Sequence, residues 1–483
     1  MAANTDTRRW TALAVIAVAQ FMVIMDTSII GVALPEIQAD VGFTPESLSW
    51  VFNAYVIAFG GLLLLGGRLS DLFGAKRLFI AGWAILAASS LVAGLAGSTG
   101  VEIAARAGQG AGAALIAPSA LTLLMMLFGS NPKELMKAFA IYGAAAPAGG
   151  TAGVFLGGVL TEWASWPWVF YVNVPIALAV IAATPSLMPS APARRGSVDV
   201  TGALTATAGL ALTVFGIVRA PEQGWGSTAT LASIGGGIAL LAAFVVIQQL
   251  RREPLMRLAI LRTPNLAAAN GAQLLLGAAW IPMWFFLNLY LQQVLGLGAF
   301  AGGAALLPMT ATIMVLMVVV APRVIGRFGP KTPIVAGMLL LAAGMALLSL
   351  VRADGSFLVD VLPASLVAAA GMSLAFIPSL GTAISSAKPE EGGLASGIVN
   401  TSYQVGSALG LAVMTAMATA HGAGKLGDVA ALTDGYSAAF IGAAVVAVIG
   451  AVAAGLSLRT PAPASEAEEP VEEVPDHMSV VAA

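Results

Sequence analysis

Asp26 and Arg106 are the only formal charges that hydropathy places well inside a long apolar run of this chain. A charge held in a membrane interior costs several kcal/mol and is by default a functional feature. A carboxyl can take up and release a proton, and a guanidinium nearby changes how readily it does so. Most other chemistry lacks its reagents. There are no cysteines, which excludes disulfides, thiolate metal sites and thiol catalysis, and the only two histidines are His421 and His477. No GxxxxGK[ST] nucleotide loop occurs. No acid stands in the middle of the last six apolar runs, and Asp360 lies near the end of one. One buried carboxylate neutralises one cationic charge or carries one proton, so neutral or singly charged amphiphiles are expected in preference to dications.

The elements that must position these residues are membrane helices. Of 483 residues 58% are hydrophobic and 10% charged, and the mean hydropathy is +0.91. A soluble domain keeps about 25% charged residues, and a span needs about 20 apolar ones. Fourteen such runs are legible, near 11–34, 48–66, 78–97, 101–128, 138–160, 168–187, 200–219, 228–250, 265–293, 299–321, 332–351, 357–386, 393–420 and 437–458. The expected fold is an all-α polytopic membrane protein. The first run follows Arg8 and Arg9, is too long for a signal-peptide core and is read as an uncleaved span ending at Pro35.

With the N-terminus on the cytoplasmic side, eighteen Lys and Arg residues fall in loops on that side and only Arg219, Arg352 and Lys425 on the other. That bias predicts cytoplasmic termini in a plasma membrane. The net charge of −2 hides six acids gathered in the tail, from Glu466 to Asp476; the remainder is mildly basic through loop residues, which argues against nucleic-acid binding.

Residues 72–86 align with 327–341 at an offset of 255, with Phe73/Phe328, Gly74/Gly329, Lys76/Lys331, Ala81/Ala336, Gly82/Gly337 and Leu86/Leu341 identical. Two repeated six-helix halves are one transporter design. The expected organisation is therefore a six-helix bundle over 1–190, a linker with two additional spans over 191–263, a second six-helix bundle over 264–459 and a disordered acidic tail over 460–483.

Counted from the outer ends of their spans at 1.5 Å per residue, Asp26 and Arg106 lie at similar depths in the outer half of the bilayer and are candidate partners. A second candidate partner for Arg106 is Glu102, one turn earlier near the outer rim. In the fourth span Arg106 is followed by Gly108, Gly110 and Gly112, and small residues at such spacings let helices approach closely. The loop between the second and third spans runs Gly67, Arg68, Leu69, Ser70, Asp71, Leu72, Phe73, Gly74, Ala75, Lys76, Arg77, an acid set among cations.

That loop resembles the signature of the major facilitator superfamily, and the Arg106 segment is similar to the family's fourth-helix arginine motif. The stretch Met25-Asp26-Thr27-Ser28 through Pro35 resembles the first-helix signature of the fourteen-span drug:proton antiporters. Trp166 to Pro175 resembles the start of the sixth span in that branch. Gly143, Pro147, Gly149, Gly150, Gly153, Gly157 and Gly158 resemble its fifth-helix antiporter motif, with departures at Val154 and Pro167. The resemblance covers about residues 10–458.

It implies a secondary transporter, not an enzyme, with no cofactor beyond the proton gradient. Small amphiphilic cargo, a monomer in the lipid bilayer and alternating access between two conformations are implied with it. In that reading Gly67, Arg68, Asp71, Gly74, Lys76 and Arg77 latch the halves, Asp26 and Arg106 couple to protons, and the glycine helix seals the cavity on one side. Asn53, Tyr55, Gln109, Asn270, Gln273, Asn288, Gln292, Asn400, Tyr403 and Gln404 are candidate polar cavity residues. Trp280, Trp284, Phe285, Phe286, Tyr290 and Phe376 could stack a planar or cationic ligand. Export of amphiphilic drugs and export of a dedicated metabolite, lipid or self-made antibiotic use the same machinery, and the sequence leaves both open.

Overall fold

The computed structural model describes residues 2–190, 199–252, 254–255, 257–387 and 392–459. The acidic tail and the loop cations Arg194, Arg195 and Lys388 lie outside them, as do the side chains of Asp71, Lys133, Lys137 and Pro147. Among the described residues all regular structure is helical.

Among the described residues fourteen helices are long and apolar enough to cross a membrane. They are Arg8–Val41 (span 1), Pro45–Ser70 (span 2), Ala75–Gly94 (span 3), Thr99–Phe128 (span 4), Ile141–Trp163 (span 5), Trp168–Leu187 (span 6) and Val200–Ala220 (span 7). The series continues with Thr228–Leu250 (span 8), Leu266–Val294 (span 9), Ala299–Phe328 (span 10), Lys331–Leu348 (span 11), Phe357–Ser385 (span 12), Ala395–Ala423 (span 13) and Val429–Ser457 (span 14). An even number of alternating spans brings the first and last helix ends to one side, the termini end; the opposite side is called the far end.

Several boundaries differ from expectation, span 10 for instance reaching Phe328 rather than 321, and two of the differences have a clear physical basis. Span 1 does not stop at Pro35 but continues as helix to Val41. A proline removes one hydrogen bond and is tolerated where neighbouring helices hold the segment, and Leu34 and Ile37 are buried on either side of it. Span 14 starts at Val429 rather than near 437, because Asp428 caps it by accepting the Ala431 amide at 3.0 Å while Leu432 and Tyr436 enter the core.

The first six spans pack as one bundle, with span 1 along span 5, spans 2 and 3 against span 4, and span 3 against span 6. Spans 9 to 14 repeat the theme, with span 9 along spans 13 and 14 and span 11 along spans 12 and 14. The sequence repeat has a physical basis at two matched glycine pairs. Gly74 and Gly329 have φ of 92° and 69°, a turn that an L side chain resists. Gly82 and Gly337 let spans 3 and 11 touch their neighbours: an added Cβ would lie 2.8 Å from the Gly112 carbonyl oxygen in one half and 2.7 Å from that of Gly371 in the other.

Spans 7 and 8 form a hairpin on each other, and span 7 packs against both span 2 and span 13. Thr207 sits directly over Gly61 and Phe215 meets Trp50, with ring centroids 6.5 Å apart. The hairpin therefore covers the seam where span 2 of the first half meets span 13 of the second.

The halves are sealed at the far end. Gln292 Nε2 donates to the Val32 carbonyl at 3.0 Å, Gln293 Nε2 to Gln38 Oε1 at 2.9 Å, and the Tyr436 hydroxyl to Gln293 Oε1 at 2.5 Å. Trp284 fills the space over Gly31 and meets Phe52 edge-on at 5.9 Å. Span 5 meets span 10 there too: Gly158 lies on Phe300, and Trp163 stacks on Phe300 at 5.5 Å. Toward the termini end the named contacts thin to the span 2/span 13 seam, where Leu64 meets Gly397, while Gly143 of span 5 and Gly326 of span 10 have nothing within 4 Å of an added Cβ.

Candidate functional site

Span 1 is held in a fixed rotation by span 5. Gly149, Gly153 and Gly157, four residues apart, lie along Phe21, Met25 and Ile29, also four apart. A Cβ at 153 would lie 2.8 Å from the Met25 carbonyl oxygen and one at 157 would lie 2.7 Å from that of Ile29. Gly150 faces Ile24 and Ser28 at ordinary contact distance, Gly143 faces open space and the Pro147 side chain is among those not described. With Met25 and Ile29 against span 5, Asp26 points away from it, into the interior of the first half.

There Asp26 is 1% exposed and Arg106 0%. Span 4 can bring Arg106 in because its glycines carry no side chain. Gly110 lies against the Tyr55 backbone of span 2, and Gly112 against Gly82 and Leu86 of span 3. Arg106 Nη1 donates to Asp26 Oδ2 at 2.8 Å and to Gln109 Oε1 at 2.7 Å, and its Nε donates to the Val51 carbonyl at 2.8 Å. Its guanidinium carbon lies 4.7 Å from the Tyr55 ring centroid and 5.9 Å from that of Phe170.

The other carboxylate oxygen is also engaged. Asp26 Oδ1 accepts from Asn173 Nδ2 of span 6 at 2.7 Å and from Gln109 Nε2 at 3.2 Å. Both amides also reach Ser90 Oγ of span 3, at 3.2 and 2.7 Å. Three N–H donors, from Arg106, Gln109 and Asn173, converge on Asp26. Sequence reasoning missed Ser90 and assigned Asn173 no role. The available signal was an amide inside an apolar span, a costly group that needs partners at its own depth.

Glu102 is not at a solvated rim. It is 0% exposed, and Arg106 forms its ion pair with Asp26 instead. Both Glu102 carboxyl oxygens lack hydrogen-bond partners, as does Arg106 Nη2. Glu102 therefore joins Asp26 and Arg106 as a buried charged residue type, near the start of span 4 and covered by the packing of that span among spans 1, 2 and 3.

The candidate cavity residues divide. Tyr55 and Gln109 belong to the Asp26 cage rather than to the space between the halves. Gln273 donates to the Phe376 carbonyl at 3.0 Å and to Ser379 Oγ at 2.9 Å, and Asn270 Oδ1 accepts from Ser402 Oγ at 3.0 Å, so both are engaged inside the second half. Phe285, Phe286 and Tyr290 are core residues of the far-end seal, and Trp280 is buried with them. Phe376 meets Tyr403 edge-on at 5.6 Å. Trp284, Asn288 and Gln404 do stand at the seam: Trp284 and Asn288 at Gly31, Gln404 on Gly60. Asn53 is two turns before Gly60 on span 2 and so shares its face. Both of its amide atoms, and Asn288 Oδ1, are buried without partners. Asn400 is exposed and donates to the Ser396 carbonyl at 2.8 Å.

In the loop between spans 2 and 3, Lys76 Nζ donates to the Pro185 carbonyl at 2.7 Å, which ties the loop to span 6 of the same half. A Cβ added at Gly67 would lie 3.8 Å from Pro118, Arg68 is half-buried and engaged, and Arg77 is exposed. No contact of Gly67, Gly74 or Lys76 with the second half is among those described.

The Major Facilitator Superfamily model matches residues 16–411. The cephamycin export protein of Amycolatopsis lactamdurans is 40% identical over 459 residues, which cover 93% of this chain and 94% of that protein. A puromycin resistance protein of Streptomyces alboniger is 36% identical over 467 residues, 93% of this chain and 91% of its own length. Among solved structures, an oligopeptide-transporter-family protein, PepTSo, superposes with a TM-score of 0.67 at 14% identity, over 93% of this chain and 97% of that one. The nucleoside transporter NupG gives 0.65 at 14%, over 93% and 99%. At such identities the structures speak for the fold alone.

Proposed function

The chain belongs to the major facilitator superfamily and is a multi-pass membrane transporter, and on that premise we propose that it exports small organic compounds in exchange for protons. The observation that carries this reading is the cage around Asp26: one carboxylate, one arginine and two amides, sealed from water in the interior of the first half. A carboxylate in that setting cannot meet a proton unless the cage opens. Its protonation is thereby tied to a conformational change, and that is the requirement for coupling.

The sealed far end supports the matching half of the cycle. With cytoplasmic termini, this conformation is the one that takes cargo from inside, while Gln292, Gln293 and Trp284 close the outer exit. Asn53, Asn288 and Gln404, near the seam, are the polar groups offered to cargo, and Trp284 the aromatic one. In the opposite conformation Gly67, Arg68, Asp71, Gly74, Lys76 and Arg77 would latch the termini end. One carboxylate on the proton route favours neutral or monocationic amphiphiles. The protein needs no cofactor beyond the proton gradient and works as a monomer in a bacterial plasma membrane.

A second reading, export of an antibiotic that the cell itself makes, is favoured by the relatives: one is named a cephamycin export protein and one a probable actinorhodin transporter. Both readings share the mechanism. The test is efflux of a panel of neutral, monocationic and dicationic amphiphiles and of antibiotics from a pump-deficient bacterium, with and without Asp26→Asn. Asp26→Asn is expected to reach the membrane in normal amount and to lose pH-driven efflux; undiminished pH-driven transport would overturn the assignment.

A further inference from the structure

Glu102 is a buried acid for which the proposed cycle has no use. It stands one turn before Arg106 on span 4 and is fully excluded from solvent, with neither carboxyl oxygen hydrogen-bonded. The charged groups that act on it are Arg106, on its own helix, and Asp26 of span 1. Spans 2, 3 and 6 bring Tyr55, Ser90 and Asn173 to the same interior, none of them charged, and the one acid of span 5, Glu162, is turned to the Phe300 amide of the other half. Among the described residues the interior around Arg106 thus holds two carboxyls and a single guanidinium.

One guanidinium compensates one carboxylate. Asp26 is the compensated one, with three N–H donors. A second carboxylate, buried and accepting no hydrogen bond, would be an uncompensated interior ion, which costs several kcal/mol. A neutral, protonated Glu102 removes that cost. Arg106 has a route to Glu102 as well, since side chains four residues apart are neighbours on a helix surface and its Nη2 is not engaged.

Resting on the export reading above, we propose that Glu102 and Asp26 are the two stations of an inward proton relay that share Arg106. In the present conformation Glu102 carries the proton and Asp26 carries the arginine. In the relay step the Glu102 O–H bond breaks and an O–H bond forms on Asp26, while the guanidinium leaves Asp26 and pairs with the new Glu102 carboxylate. One proton and one cation trade places, and the charge of the cluster does not change. Span 4 begins at the far end, so Glu102 is the station nearer that end and Asp26 the station nearer the termini. Loading Glu102 when the far end opens, and releasing from Asp26 when the termini end opens, moves the proton opposite to the cargo.

The test is infrared spectroscopy of the purified protein in lipid nanodiscs, reading the C=O stretch of protonated carboxyls at neutral pH. The relay requires such a band in the wild type, moved by isotope-labelled glutamate, lost in Glu102→Gln, displaced but present in Glu102→Asp and diminished in Asp26→Asn, where the freed guanidinium pairs with Glu102. Absence of the band, or its survival in Glu102→Gln, would overturn the proposal; the isotope arm reads the wild type and decides even where a variant does not fold. In proteoliposomes Glu102→Gln should lose pH-driven efflux while keeping cargo exchange without a pH gradient. Wild-type pH-driven efflux by Glu102→Gln, alongside its loss in Asp26→Asn, would remove the relay and leave the carrier reading standing. Undiminished efflux by Asp26→Asn would remove the carrier reading while the infrared band still decides the state of Glu102.

Discussion

Replacing Arg106 by lysine keeps the charge beside Asp26 and removes the fork. A lysine ammonium can still meet Asp26 Oδ2 and Gln109 Oε1. It has no counterpart of Nε, so the 2.8 Å bond to the Val51 carbonyl is lost, and the flat contact on Tyr55 at 4.7 Å is weakened. A hydrogen bond from a charged donor contributes about 1.5–3 kcal/mol and a cation–π contact about 0.5–2 kcal/mol. Arg106→Lys should therefore destabilise the protein by roughly 2–3 kcal/mol. Arg106→Met removes the cation altogether and leaves Asp26 uncompensated, a loss of about 3–5 kcal/mol. Denaturant titration of the purified variants in one detergent, followed by tryptophan fluorescence, ranks them wild type, lysine, methionine. A lysine variant as stable as wild type would mean that charge alone matters and that the Val51 and Tyr55 contacts contribute nothing. A methionine variant no worse than lysine would refute the claim that Arg106 holds Asp26 in place.

Three further outcomes follow from packing. Gly153→Val puts atoms where the Met25 carbonyl and Ile29 amide already are and should cost about 1–3 kcal/mol, read as lost thermal stability; Gly143→Val, facing open space, should cost little. Gly74→Ala forces an L side chain into φ of 92° and should cost about 1–3 kcal/mol, with less folded protein recovered from membranes. Trp284→Ala opens the far-end seal over Gly31; because the chain has no cysteines, a single cysteine placed at Thr27 should then be labelled faster by a membrane-impermeant maleimide from outside, and an unchanged rate would show that the seal lies elsewhere.

Much of this site was legible in the sequence because its signals are rare residues. An aspartate and an arginine in apolar runs stand out, and counting residues from the span ends brought them to one depth. The glycines of span 5 were legible through their resemblance to the antiporter motif, and which of them would meet span 1 was not. The partners were not, because Ser90, Asn173 and Gln109 are common residue types whose meaning depends on which helix faces which. Gln109 went to the cavity for that reason, and Gln273 and Asn270 with it. Glu102 was read as a rim residue because it lies three positions inside the start of span 4; what buries it is the packing of that span among its neighbours, a tertiary property. The continuation of span 1 past Pro35 was hidden in the same way, since proline is a local stop signal that packing overrode.

The hairpin of spans 7 and 8 has a consequence for the way in. A two-bundle carrier has two side clefts through which an oily molecule dissolved in the bilayer could slip between the bundles without first entering water. Here span 7 rests on both span 2 and span 13 and closes one of them. The cleft between spans 5 and 10 has no such cover. The span 2/span 13 side is thereby shut to a cargo arriving from the lipid, whereas spans 5 and 10 face the lipid with only each other for cover among the described residues.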